Sequence, residues 1–178
     1  TGEAGYNFGT CHPYFPVRFN GQSIDVLELP TPTQDLIVFA PAEILEPLLA
    51  QALKHHGVLH LLFHPAHFHK EDVAAAMGQA IRRGRESNME WWTARQLNAW
   101  ERARRNVRLT GFDVNSISLE SNESMKDATV LLSGAAPVSG AAGVAVSAPG
   151  AISPFNVWGA HFNAVTMDLT SASRIEME

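Results

Sequence analysis

The spacing of apolar positions changes near residue 107, and this change divides the chain into two parts. Before it, apolar residues recur at helical spacing in segments that begin at Pro41, near Glu71 and at Thr93. Proline suits the first turn of a helix and glycine suits its end, so Pro41 and Gly57 are expected to bound the first helix. Its predicted buried stripe consists of Ile44, Leu45, Leu48, Leu49 and Leu53.

Strand-like segments alternate with these helical segments. Residues 24–29 alternate apolar and acidic positions, while residues 36–39 and 58–63 are short apolar runs of the buried-strand type. A strand, helix, strand, helix order is typical of a parallel sheet or barrel. The sequence therefore predicts an α/β domain over residues 1–107.

Residues 108–178 form the second predicted domain, a small antiparallel β-rich segment or truncated sandwich. The joints between its apolar segments are rich in Gly, Ser, Ala and Pro, which favours turns over helices. Five short strands are predicted there, over residues 107–109, 117–119, 129–132, 144–146 and 165–169.

Composition and charge exclude several classes of function. The net charge is −5, and the arginine runs at 82–85 and 102–108 are interleaved with Glu86, Glu90 and Glu101. A nucleic-acid partner is therefore not expected, because no basic stripe is available to neutralise phosphates. No apolar run approaches the ~20 residues that span a bilayer. Cys11 is the single cysteine, so no disulfide forms within the chain.

Six of the eight histidines lie between residues 55 and 69. Imidazole titrates near neutrality and is the commonest zinc ligand, so the cluster allows two interpretations. One is a zinc hydrolase site made of His64, His67 and His69. The other is a single catalytic histidine, His64, at the carboxyl end of a predicted strand, where active sites of parallel α/β folds gather.

Asp35 is the candidate partner of His64, because a carboxylate commonly orients a catalytic imidazole. Asp35 follows the predicted strand 24–29 after a short loop, so the two groups would share one rim if their strands are neighbours. Capping of a turn is an equally good interpretation of Asp35 from the residues alone.

Several stretches resemble the polysaccharide deacetylase family. They are Gly5-Tyr6-Asn7-Phe8-Gly9-Thr10-Cys11-His12-Pro13-Tyr14, Asp25-Val26-Leu27-Glu28-Leu29-Pro30 with Gln34-Asp35, His60-Leu61-Leu62-Phe63-His64-Pro65, and Met89-Glu90-Trp91-Trp92-Thr93. Their order and spacing carry the resemblance over residues 1 to about 107. The resemblance implies the second half of an irregular (β/α) barrel of deacetylase type, followed by the small antiparallel β-rich segment.

The resemblance also implies an activity and site residues. The family removes acetyl groups from polysaccharides with a divalent metal, often zinc. Leu62-Phe63-His64 matches its late Leu-x-His motif, so Leu62 would contact the acetyl methyl, His64 would be the acid, and Asp35 would tune it. In the aromatic-rich loop before them, Thr10, His12 and Tyr14 are expected to bind substrate.

The family's Thr-Phe-Asp-Asp motif does not occur in the chain. No metal ligand is therefore expected within it, and the ligands of the zinc would lie before Thr1. The sequence thus predicts a fragment of a metal-dependent hydrolase acting on an acetylated polysaccharide or oligosaccharide. The alternative is an inactive barrel remnant that binds a glycan or a partner through Tyr6 and Tyr14. Strand edges exposed in half a barrel would favour self-association.

Overall fold

The computed structural model describes residues 10–113, 116–133, 146–147, 151–157 and 159–177. Its contacts divide the chain into two compact units, Thr1–Thr93 and Ala94–Glu178. The third predicted helix lies in the second of these units, where it precedes the strands. The domain boundary near residue 107 stays a prediction. No helix of the described ranges is long and apolar enough to cross a membrane.

The first unit contains two α-helices where the sequence predicts them. A short 3₁₀ helix over Ala42–Ile44 leads into α1, Leu45–Lys54, and α2 spans Glu71–Glu86. Helix α1 buries Leu45, Leu48, Leu49 and Ala52. The predicted stripe is wrong at Leu53, which is 40% exposed. Leu36 and Ala40 complete the core with Leu45 and with Ala76 of α2.

The predicted half-barrel is wrong. Residues 24–29, 36–39 and 58–63 form no regular strand in the first unit, and its described extended segments make only isolated bridges. Residues 36–39 instead belong to a tight turn, in which Asp35 and Ile37 have positive φ angles of 39° and 81°. These apolar segments have no partner strand, so they adopt turns and extended chain instead of a sheet.

The second unit combines one helix with two antiparallel sheets. Helix α3 spans Ala94–Arg105. The strands are β1 Arg108–Phe112, β2 Ser116–Glu120, β3 Met125–Ser133, β4 Val146–Ser147, β5 Ala151–Val157, β6 Ala160–Leu169 and β7 Ser173–Met177. They are ordered β1-β2-β7-β4 in one sheet and β3-β6-β5 in the other. The described chain is thus an α+β protein rather than the α/β barrel that was predicted.

The core of the second unit joins helix and sheets. Ala103 of α3 packs with residues of both sheets, among them the fully buried Val165 of β6 and Ile175 of β7. Strands β5 and β7 were not predicted; β7 pairs with β2 from Ser116↔Glu176 to Leu119↔Ser173. Glu101 of α3 is buried beside Arg104 and Arg105, at 2.7 and 3.3 Å from their guanidinium nitrogens. The two arginines stay largely exposed while they pair with this buried carboxylate.

Candidate functional site

A single parallel bridge brings the two halves of the candidate site together. Gln34 pairs with Leu62, and the N–H of Asp35 donates to the carbonyl of Leu62 over 2.8 Å. The chain therefore passes Asp35 alongside the segment that ends at His64. Asp35 has φ 39°, a left-handed conformation that aspartate and asparagine tolerate better than most residues.

The carboxylate of Asp35 contacts His64 at two points. Oδ1 accepts a hydrogen bond from the backbone N–H of His64 over 2.6 Å, and Oδ2 is hydrogen-bonded to the ring Nδ1 of the same residue. Asp35 is fully buried, whereas the His64 side chain is 49% exposed. The structure thus joins the two residues that the sequence analysis paired, although the strands expected to carry them are absent.

His67 completes the cluster through a short helical turn. His64 precedes a 3₁₀ helix over Pro65–His67, and the N–H of His67 donates to the carbonyl of His64 over 2.9 Å. The two imidazole rings meet edge to face with centroids 5.7 Å apart. Nδ1 of His67 lies 3.1 Å from Oδ2 of Asp35, yet it is buried and makes no hydrogen bond of acceptable geometry.

The electrostatics of the cluster favour an ionised carboxylate. Burial raises the pKa of Asp35, since it removes the charged form from water. The hydrogen bonds from the side chain and backbone of His64, together with the nearby His67 ring, outweigh burial. They hold the pKa of Asp35 below its usual value.

Asp35, His64 and His67 could hold a metal ion. One potential ligand atom from each residue lies within 4.8 Å of the other two. The sequence analysis placed the ligands of the zinc before Thr1 and considered only histidines for a site within the chain. The structure adds a carboxylate to this group, that of Asp35, 29 residues upstream of His64. His69, the third histidine of the trio considered from sequence, is exposed and does not belong to this group.

The remaining residues with a predicted role lie in the loop before the bridge and at its end. Thr10 Oγ1 accepts a hydrogen bond from the N–H of His12 over 3.0 Å. Tyr14 is half-buried and forms an antiparallel bridge with Glu28. These contacts order the loop, and substrate binding by the three residues stays a prediction. Tyr6 lies outside the described residues.

Apolar side chains near the cluster are unusually exposed. Leu62 is 38% exposed, and Phe39 is 45% exposed although its ring centroid lies 6.0 Å from that of His67. The sequence analysis missed Phe39 because it assigned residues 36–39 to a buried strand. His67 carried a usable signal, since Pro65 opens a turn and residues three apart face the same side of a 3₁₀ helix.

Comparison with known proteins found no relative of this chain. The chain matches no protein-family model, no curated protein and no solved structure.

Proposed function

We propose that His64 is the general acid of a hydrolytic site that removes acetyl groups from a carbohydrate, and that Asp35 positions it. The observation that carries this proposal is the double contact of one buried carboxylate with the backbone N–H and the ring Nδ1 of the same histidine. Such a contact fixes both the direction of the ring and its tautomer. The substrate class comes from the resemblance to polysaccharide deacetylases.

The chemistry assigned to His64 follows from which nitrogen is occupied. Because Nδ1 is bound to Asp35, Nε2 is the nitrogen available for proton transfer. In the hydrolysis, water adds to the acetyl carbonyl and loses a proton to a general base, and the protonated Nε2 donates to the departing sugar nitrogen or oxygen as the acyl bond breaks. Acetate and the free amine or hydroxyl are the products. A divalent metal, which the resemblance implies, would supply activation of the attacking water.

Release of acetate from acetylated oligosaccharides by the protein tests this role. His64→Ala is expected to lower turnover on the order of 10²-fold or more, the usual contribution of a general acid. His69→Ala is the matched control, because His69 is an exposed histidine of the same segment outside the cluster. Unchanged turnover in His64→Ala, or an equal loss in His69→Ala, would remove His64 from the mechanism.

A second candidate function is zinc binding by Asp35, His64 and His67. The buried Nδ1 of His67, without a hydrogen bond and 3.1 Å from the carboxylate, favours it. Two imidazoles and a carboxylate are also ordinary zinc ligands. The direct contact between Oδ2 of Asp35 and Nδ1 of His64 weighs against it, because ligand atoms about 2 Å from an ion cannot also share a hydrogen bond. Zinc binding would therefore require the carboxylate and the His64 ring to separate.

His67→Ala distinguishes the two functions. For a zinc site, calorimetric titration should show one zinc per chain, and His67→Ala should abolish it while His69→Ala retains it. For an acid positioned by Asp35 alone, His67→Ala should preserve most of the turnover that His64→Ala removes. Absence of stoichiometric zinc in the unaltered protein would dispose of the zinc site.

A further inference from the structure

We infer that Phe39 is a specificity-determining residue that holds the acyl group of the substrate beside the Asp35–His64 pair. This inference rests on the proposed hydrolytic function and names the part of the substrate that the protein contacts. It also adds a second apolar side chain to Leu62, which the resemblance assigns to the acetyl methyl group.

The position of Phe39 is tied to the site through its backbone. The carbonyl of Asp35 accepts hydrogen bonds from the N–H groups of Val38 and Phe39, over 2.9 and 3.1 Å. The residue that supplies the carboxylate therefore also closes the turn that presents Phe39. The ring of Phe39 is tilted by 57° against that of His67, with centroids 6.0 Å apart. A ligand against the exposed part of this ring would be next to the histidine cluster.

The backbone of this turn is strained at one residue. Ile37 has φ 81°, a conformation in which a β-branched residue is a genuine outlier, and its side chain is 42% exposed. Glycine would adopt this conformation without the steric cost and would expose no apolar side chain. Strain of this kind concentrates at ligand-binding and active sites. An exposed apolar residue in this conformation, within the turn that carries Asp35 and Phe39, supports the binding of an apolar group there.

The residues next to this turn favour the acyl group of the substrate as the apolar group that binds there. Leu62, which is 38% exposed, joins the same turn through its carbonyl, the acceptor of the Asp35 N–H. The methyl or methylene groups of an acyl chain gain free energy when such side chains remove them from water. The acyl carbonyl would then lie towards His64, whose ring donates the proton to the leaving sugar atom in the proposed reaction.

The free acids released by hydrolysis provide a binding assay that needs no turnover. Acetate, butanoate and hexanoate are titrated into the 178-residue chain, and the imidazole NMR signals of His64 and His67 are followed. We expect the affinity to rise with chain length, by up to about fourfold per methylene group. Phe39→Ala should flatten this dependence. Phe19→Ala, which alters a fully exposed ring in another turn, should retain it.

Ile37→Gly is the second variant, and it separates a binding role from a purely structural one. It should raise the melting temperature because it relieves the left-handed strain, and it should also weaken the dependence on chain length. The inference is overturned if hexanoate shifts neither histidine, if affinity does not grow with chain length, or if Phe39→Ala keeps the full dependence. A fall in melting temperature of Ile37→Gly would refute the argument from strain. Since only binding is measured, failure of the hydrolytic proposal would appear separately, as unchanged turnover in His64→Ala.

Discussion

Replacing Asp35 by asparagine should cost the first unit a measurable part of its stability. The change keeps the size of the side chain, and asparagine tolerates the left-handed φ of 39° at this position as aspartate does. The amide oxygen can still accept the hydrogen bond from the His64 N–H. The substitution removes the negative charge of the carboxylate, whose two oxygens are hydrogen-bonded to the backbone and the ring of His64.

The magnitude follows from the two contacts. A hydrogen bond to a charged group contributes about 1.5–3 kcal/mol, and one between neutral groups contributes about 1 kcal/mol. One bond is weakened from charged to neutral, while the other is kept only if His64 changes its tautomer to accept from the amide. The free energy of unfolding is therefore expected to fall by about 1–3 kcal/mol at neutral pH. Asp25→Asn, an exposed change of the same type, should stay within about 0.5 kcal/mol of the unaltered protein.

The difference between Asp35→Asn and the unaltered protein should also depend on pH. The pKa of Asp35 is lowered in the folded state, so its ionised form stabilises the fold. This contribution is complete above the pKa of the unfolded chain, near 3.9, and is lost as the pH falls through the lower pKa of the folded state. Asp35→Asn lacks this contribution at every pH. The two proteins should therefore converge in stability at acid pH.

Urea unfolding from neutral pH down to about pH 3, followed by circular dichroism and by the NMR signals of the His64 ring, measures both effects. The reasoning is refuted if Asp35→Asn is as stable as Asp25→Asn at neutral pH. It is also refuted if the cost of Asp35→Asn stays constant below the usual pKa of a carboxyl group. Either result would mean that the carboxylate at position 35 is not held by His64 in the way described.

Four further predictions concern packing. Gly57→Ala should destabilise the protein by about 1–3 kcal/mol in urea unfolding, because the new Cβ would lie 2.1 Å from Sγ of the buried Cys11. Gly78→Ala, inside α2 and 3.4 Å from the flexible end of Arg82, should instead stabilise by about 0.5–1 kcal/mol. Burial raises the pKa of the Cys11 thiol, so iodoacetamide should alkylate it far more slowly in the folded chain than in denaturant; equal rates would contradict its burial. Val165→Ala, at a fully buried position of β6, should lower the unfolding free energy by about 1–3 kcal/mol, whereas no change would contradict the described core.

The helices could be predicted from sequence because their signals are local. The apolar spacing that predicted helices from Pro41, Glu71 and Thr93 corresponds to α1, α2 and α3. The strands of the first unit could not, because a strand needs a partner that short apolar runs do not specify. Residues 58–63 look like a central strand, yet one bridge at Leu62 is the only one that involves them among the described residues.

The candidate site was predictable to a different extent for each of its members. The resemblance pointed to Asp35 and His64, although the sheet that was meant to join them is absent. His67 was considered only as part of a histidine trio, because nothing in the sequence placed Asp35 within reach of it. Phe39 had no signal, since an apolar residue in an apolar run predicts a buried strand and not an exposed turn.

The proposed role of His64 does not depend on the barrel that the sequence predicted. Its geometry comes from two short local structures, the turn that begins at Asp35 and the 3₁₀ helix over Pro65–His67, joined by the bridge between Gln34 and Leu62. The carboxylate is hydrogen-bonded to both the backbone and the ring of His64, so it ties the two local structures together at this point. The orientation of the acid is therefore set within residues 34–67, and a test on His64 examines this local arrangement whatever fold surrounds it.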